Sequence, residues 1–257
     1  QANAAGTLLG GGIRLSQKGL PVYHHVGVSA FAEFCVVNRG SLVKIDKTLP
    51  FDEAALFGCA VLTGVGAALN TAGVFPGSSV AVVGLGGVGL NALLGAKVAG
   101  AEQIIALDVH DDKLKIAKRL GATATVNAKD NDAIEKVKKL TNGGVNFGFE
   151  MAGSVQAMEL AYRITRRGGT TVTAGLPHPE ARWELQHVNL TAEERTVKGS
   201  YVGSCVPSRD VPRYINLYKS GMLPVDQLMS DRLKLEDINE GFDRLQSGHT
   251  VRQIIMM

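Results

Sequence analysis

The chain has 257 residues, 45% apolar and 20% charged, which is enough for one large or two modest domains with a real core. Lys and Arg number 27 against 24 Asp and Glu, a net +3 with both signs mixed along the chain, so there is no basic footprint for nucleic acid or an anionic membrane. No apolar run reaches the roughly 20 residues of a membrane span, and the opening QANAAGTLLGGG lacks the basic start and apolar core of a signal peptide.

In chain order, AFAEFCVVNRGSLVKI (30–45) reads as strand-like, and FDEAALFGCAVLTGVGAAL (51–69) reads as one helix with Asp52 near its start. From about residue 79 to 202, strand and helix patterns alternate. Short β-rich runs occur at SVAVVG, QIIALD, TATVNA, VNFGFEMAG, GGTTVTAGL and TVKGSYVG. Between the first five lie helical patterns, VGLNALLGAKVAG, DDKLKIAKRLGA, NDAIEKVKKLTNGG and SVQAMELAYRITRRGG, each closing on Gly or Asn-Gly. Strands rich in Val, Ile and Ala without strict alternation suit a parallel sheet covered on both faces. Six of them linked by helices make an α/β, doubly wound nucleotide-binding domain. The last stretch holds RDVPRYINLYKSG, LEDINEGFDRLQSG and a final strand, VRQIIMM. Residues 1–60 and 203–257 thus read as two ends of another domain, with residues 61–202 inserted between them.

The 31 glycines fall largely at strand–helix turns, an architectural placement. In GLGGVG the pattern G-x-G-x-x-G falls on Gly84, Gly86 and Gly89, with Gly87 and Val88 between. A strand precedes it, a helix follows, and Asp108 closes the next strand about 20 residues on, the full context of a dinucleotide fingerprint. Gly84 allows the sharp turn, Gly86 lets a pyrophosphate reach the backbone, and Gly89 lets helix and strand pack closely. The helix N-terminus then offers unpaired N–H groups and partial positive charge to phosphates. A carboxylate at Asp108 accepts from both ribose hydroxyls and repels a 2′-phosphate. The following VHDDK contains no Arg to receive one, so NAD is expected over NADP.

Cys35, Cys59 and Cys205 are far apart and odd in number, as in a reduced, cytoplasmic protein. Cys35 and Cys205 read as core or near-surface thiols. Arg163, Arg166 and Arg167 in RITRRGG read as a solvated helix end. His24 and His25 form a doublet that reads as a polar pair near a strand start. His110, His178, His187 and His249 show no ligand spacing and read as surface residues.

The segments GCAVLTGVGA, GLGGVGL, LD with DK, NGGVNFGFE, VKGSYVG and INEGFDRLQSGHTVRQII together resemble the zinc-dependent medium-chain alcohol dehydrogenases, in order, over essentially the whole chain. The resemblance implies a six-stranded Rossmann domain inserted in a split, mainly β (GroES-like) catalytic domain, with zinc polarising an alcohol oxygen while hydride passes to NAD. It places Cys59 at a catalytic zinc ligand and Thr63 at the nicotinamide end. It puts Val88 behind the nicotinamide ring, Lys113 near the adenosine ribose, and Gly175 and Leu176 at the carboxamide. Arg252 falls on an arginine paired with the pyrophosphate. It also suggests a pocket-lining place for His25 and Val26.

The family's other zinc ligands, a Cys and a His-Glu pair, and its four-cysteine structural zinc lobe have no counterparts in these residues. The sequence therefore reads as lacking an N-terminal portion, with an incomplete catalytic zinc site and little expected activity by itself. In an intact enzyme the expected reaction is oxidation of a primary alcohol, aromatic ones included, or of a glutathione–formaldehyde adduct. A second reading is a dinucleotide-binding or structural protein without chemistry. A third, a zinc-free reductase of activated double bonds, is disfavoured by Asp108 together with Cys59. The resemblance further implies a homodimer, or a dimer of dimers, paired through RTVKGSYVG (195–203) at the sheet edge.

Overall fold

The structure, a computed structural model, describes residues 5–8, 10–28, 30–248 and 250–257. His249 and the side chain of Val26 lie outside the described residues, so the expectations placed on them have no structural counterpart.

The first flank opens with a small antiparallel hairpin, β1 (Leu15–Gln17) and β2 (Leu20–Val22). The doublet at 24–25 follows the end of β2 and does not sit at a strand start. There His24 is buried, its backbone N–H donating to Gly6 O and its Nε2 accepting from Arg14 N at 3.3 Å, while His25 is exposed. The strand-like segment 30–45 forms no strand and makes only a short turn at Arg39–Ser41. Phe31, Phe34, Val36 and Leu42 are out in solvent, Phe34 at 91% exposure, while Val43 and Ile45 pack against the core. Strand propensity reflects fit to a partly buried pleated surface, and among the described residues no strand pairs with this segment.

The segment read as one helix over 51–69 is broken. Helix α1 (Phe51–Ala54) begins after Pro50 with Asp52 in its first turn and tightens through Ala55–Gly58. At Cys59 the backbone leaves the helical region (φ −141°, ψ −71°), and α2 (Ala60–Gly66) restarts, widens over Ala67–Ala72 and ends at Gly73. The two halves are bent by 52°.

The central sheet is as expected. Its strands are β3 (Ser79–Val83), β4 (Gln103–Asp108), β5 (Ala124–Asn127), β6 (Val145–Glu150), β7 (Thr165–Thr173) and β8 (Thr196–Gly199). All are parallel, in the order β5-β4-β3-β6-β7-β8. The connecting helices are α3 (Gly87–Val98), α4 (Asp111–Leu120), α5 (Ala133–Leu140) and α6 (Val155–Ile164). Helix α4 shows how the sequence builds an outer helix: Leu114, Ala117 and Leu120 make one buried stripe, with Asp111 and Asp112 in the first turn and Lys118 and Arg119 in the last. Helix α3 differs, since every residue from Gly89 to Ala96 is buried. It lies between the sheet and α2, and two glycines make that sandwich thin enough. A Cβ on Gly64 would sit 2.3 Å from Val88 O, and one on Gly95 would sit 2.9 Å from Val65 Cα.

Helix α6 stops earlier than the sequence suggests. Thr165 is already extended (φ −74°, ψ 133°) and fully buried, its Oγ1 donating to Ala161 O at 2.7 Å and paired with Thr171 Oγ1 at 3.0 Å. Only Arg163 belongs to the helix end; Arg166 and Arg167 are exposed residues of β7. The buried threonine pair outweighs the late glycine stop signal.

Helix α7 (His187–Ala192) precedes β8. The last flank holds α8 (Pro207–Lys219), β9 (Met229–Lys234), α9 (Ile238–Gln246) and β10 (Arg252–Met256), with β9 and β10 paired in parallel. The two flanks meet. Lys219 pairs with Asp46 and holds its carboxyl well below the usual carboxylate range. Arg232 pairs with Asp52 at 2.5 Å, and the Phe57 and Tyr218 rings lie edge to face with centroids 5.9 Å apart. Among the described residues no single helix is long and apolar enough to cross a membrane.

Candidate functional site

In this strand order the chain reverses direction across the sheet between β3 and β6, so the turns leaving their C-terminal ends diverge and leave a crevice. The glycine turn follows β3. Gly84 has φ +92°, and a Cβ there would lie 2.8 Å from Ala152 N on the turn after β6. Gly89 sits so close that a Cβ would be 1.8 Å from Gly84 O. Gly86, by contrast, faces open space, with nothing within 4 Å of an added Cβ. It is also the N-cap of α3 and has no side chain to satisfy the first-turn N–H groups. An oxygen-rich anion fits that opening.

Arg252 closes one side. Its Nε lies 2.4 Å from where a Gly87 Cβ would be, so the guanidinium rests on the glycine turn although β10 belongs to the last flank. Burial pulls the Arg252 pKa down, and Cys59 is near enough to act on it in the opposite direction. Cys59 is exposed at the break between α1 and α2, and its carbonyl accepts from Thr63 N at 2.8 Å. Thr63 is buried beside Gly64, the residue in contact with the Val88 backbone. The structure thus gathers Cys59, Thr63, Val88, Gly84, Gly86, Gly87, Gly89 and Arg252 around one end of α3.

Asp108 closes β4 next to this turn and is 7% exposed. Its Oδ2 accepts from Leu85 N at 2.7 Å and its Oδ1 from His110 N at 3.0 Å, with His110 Nδ1 at 3.1 Å from Oδ1. A carboxylate offers about four acceptor positions, so capacity remains for a ligand diol. His110 is therefore half-buried against the key carboxylate and not a plain surface residue. The turn at Gly248 lies over it, with Lys113 Nζ 4.0 Å from a Cβ built there. His178 and His187 are exposed as expected. Cys35 is exposed; Cys205 is half-buried, with burial raising its thiol pKa.

On the other side of the crevice, Gly175 packs onto the turn after β6, where a Cβ would be 2.3 Å from Gly153 N, and Leu176 is 83% exposed. Beneath them lies Glu150, a buried carboxylate that sequence reasoning did not single out. Like Asp108, it is a charged residue closing an apolar parallel strand, and that was the signal available.

The glycine turn, the uncapped α3 N-terminus, Asp108 and Arg252 fit a dinucleotide: a cradle for phosphates, a cation beside it and a carboxylate for a ribose. They do not fit a zinc ion. Among the described residues no three His, Cys, Asp or Glu side chains come together.

Comparison with known proteins agrees with the fold. A family model described as zinc-binding dehydrogenase matches residues 87–220. Alcohol dehydrogenase 1 of Pisum sativum is 37% identical over 247 residues, covering 95% of this chain and 65% of that protein. Benzyl alcohol dehydrogenase from Acinetobacter calcoaceticus superposes with TM-score 0.88 at 33% identity, over 92% of this chain and 65% of its own. An alcohol dehydrogenase zinc-binding domain protein from Burkholderia ambifaria superposes with TM-score 0.93 at 30% identity, over 100% and 70%. The chain thus spans just under two-thirds of the plant relative's length. With this identity, coverage and shared sheet, the chain belongs to the zinc-binding dehydrogenase family.

Proposed function

We propose that these residues form the NAD-binding part of an alcohol dehydrogenase that oxidises a primary alcohol, aromatic ones included, to the aldehyde. The observation that carries the reading is Asp108, buried at the end of β4, bonded into the glycine turn and with acceptor capacity to spare. Bound NAD supplies the hydride acceptor. The chain's own residues hold it. Gly86 and the α3 N-terminus receive the pyrophosphate, and Arg252 sits beside it as countercharge. Asp108 and Lys113 take the adenosine ribose. Thr63 and Val88 back the nicotinamide, and the Gly175–Leu176 backbone holds its carboxamide. In this reading residues 61–202 are the cofactor domain, with 1–60 and 203–257 as parts of the catalytic domain. The benzyl alcohol dehydrogenase likeness favours an aromatic substrate. The test is a fluorescence titration: NADH should bind at micromolar concentration and NADPH far more weakly, and equal affinity for the two overturns the assignment.

Zinc assistance belongs to this proposal only for a longer protein, in which Cys59 would give one thiolate to a site completed by other residues. The lack of a ligand cluster among the described residues favours a second reading for these 257 residues alone, namely cofactor binding without turnover. We expect the purified chain, after dialysis against a mild chelator, to hold well under one zinc per molecule and to oxidise no alcohol measurably. One retained zinc per chain refutes that.

The partner most compatible with the sheet is a second copy. Strand β8 is an edge strand with all four residues exposed, and Val197 and Tyr201 lie on or beside it. An unpaired edge invites strand addition, and a two-fold pairing satisfies both copies. Sedimentation should give a dimer, weakened in Val197→Pro, which removes one backbone donor from β8. A monomer at all concentrations rules this out.

A further inference from the structure

Glu150 stands at the C-terminal end of β6, next to the crevice, and is 2% exposed. Its Oε1 accepts from Ala152 N at 2.8 Å and Gly153 N at 2.6 Å, and its Oε2 accepts from Thr173 Oγ1 at 2.7 Å. Three donors on two oxygens match an ionised carboxylate, which is acceptor-only. A buried charge normally needs an opposite charge, and hydrogen-bond donors compensate it only in part. Among the described residues no side-chain cation is paired with Glu150.

The position of the carboxylate indicates where a cation could come from. A Cβ on Gly175 would sit 2.5 Å from Glu150 Oε2 and 2.3 Å from Gly153 N, so the carboxylate lies directly against the Gly175 backbone. By holding the Gly153 N–H on one oxygen and Thr173 on the other, Glu150 joins the turn after β6 to the C-terminal end of β7 in one wall of the crevice. We propose that Glu150 is a positioning residue for the nicotinamide end of the cofactor, and that its unpaired charge makes the site favour the cationic, oxidised ring over the neutral, reduced one. This rests on the cofactor reading above, in which the Gly175–Leu176 backbone holds the carboxamide.

The two parts of the role separate in Glu150→Gln. The amide oxygen still accepts from Ala152 and Gly153, and its NH2 donates to Thr173 Oγ1, whose hydroxyl rotates to accept. The wall is kept and the charge is lost. Dissociation constants of the purified chain are measured for NAD+ by calorimetry and for NADH by fluorescence, with a thermal melt of each protein. We expect NAD+ to bind about tenfold more weakly and NADH to change less than about twofold, since only the cationic ring loses a Coulomb partner. A purely structural role would weaken both by the same factor. Thr173→Lys, which hands the carboxylate a cation from within the chain, is the second variant and should shift the ratio in the same direction. It decides the matter if Glu150→Gln does not fold. An unchanged ratio in a folded variant, with both forms still bound, overturns this proposal alone. Failure of the unmodified chain to bind either form overturns the cofactor reading and this proposal with it.

Discussion

Gly89→Ala is expected to destabilise the cofactor domain strongly, while Gly86→Ala, three residues away in the same turn, leaves its stability unchanged and weakens NADH binding. A Cβ at position 89 would be 1.8 Å from Gly84 O, a backbone atom held in place by its own strand, so nothing flexible can yield. Helix α3 would have to lift from β3, and α2 with it, because Gly64 and Gly95 leave no slack on the other side. Overpacking of this kind costs about 3 kcal/mol or more, a fall in Tm of about 10 °C for a chain of this size. At Gly86 the apo protein has room and ordinary backbone angles (φ −73°), so the melt should be unchanged. The added methyl instead occupies the space where a pyrophosphate would meet the α3 N–H groups, and NADH affinity should drop about a hundredfold or more, the loss of two or three charge-assisted hydrogen bonds. Gly87→Ala is intermediate, since its Cβ meets only the end of the Arg252 side chain, which can swing aside. That variant should fold and bind NADH weakly. Thermal melts paired with NADH titrations read all three. A stable Gly89→Ala, or a Gly86→Ala protein that binds NADH normally, contradicts the roles given to the turn.

What could be read from the sequence follows from how local each signal is. The first five parallel strands, β3 to β7, are where β-rich runs alternate with glycine-stopped helices, because burial and crossover connections leave that pattern in contiguous residues, while β8 is an exposed edge strand. Gly84, Gly86, Gly89 and Asp108 are legible for the same reason, since turn, helix start and strand end lie within one unit. The flanks are not local. Residues 30–45 have strand composition but no strand partner among the described residues, and composition cannot supply one. The break at Cys59 has no proline to announce it; it is visible only once α2 is seen lying on α3. Arg252 entered through family resemblance alone, because no spacing in the sequence connects β10 to the glycine turn. Glu150 has no reading from sequence and His110 reads there as a surface residue, although both were within reach. Each is polar at the C-terminal end of a parallel strand or just beyond it, the edge where open α/β sheets bind ligands, and that rule applies to β6 as much as to β4.

Asp108→Asn should exchange most of the preference for NADH over NADPH for near indifference, with little loss of stability. Asp108 has two jobs that the structure separates by oxygen. Oδ2 takes the Leu85 N–H at 2.7 Å and so holds the middle of the glycine turn, while Oδ1 faces the His110 N–H at 3.0 Å. An asparagine keeps an acceptor for Leu85, and its NH2 can donate to His110 Nδ1, while the His110 N–H gives up its bond to the carboxylate at the half-buried rim of the site. The turn survives, but the negative charge that strengthens ribose hydrogen bonds and repels a 2′-phosphate is gone. Charge-assisted bonds are roughly twice as strong as neutral ones, so NADH should bind about tenfold more weakly, and NADPH about tenfold more tightly once a like charge at close range is removed. Asp108→Gly goes further. It also strands the buried Leu85 N–H, a loss of about 1–3 kcal/mol, and should lower Tm as well as abolish the preference. Titrations of the unmodified chain and both variants with NADH and NADPH at one ionic strength, alongside thermal melts, distinguish the two jobs. If Asp108→Asn keeps the full preference for NADH, the carboxylate's charge does not read the ribose, and its role reduces to holding the turn.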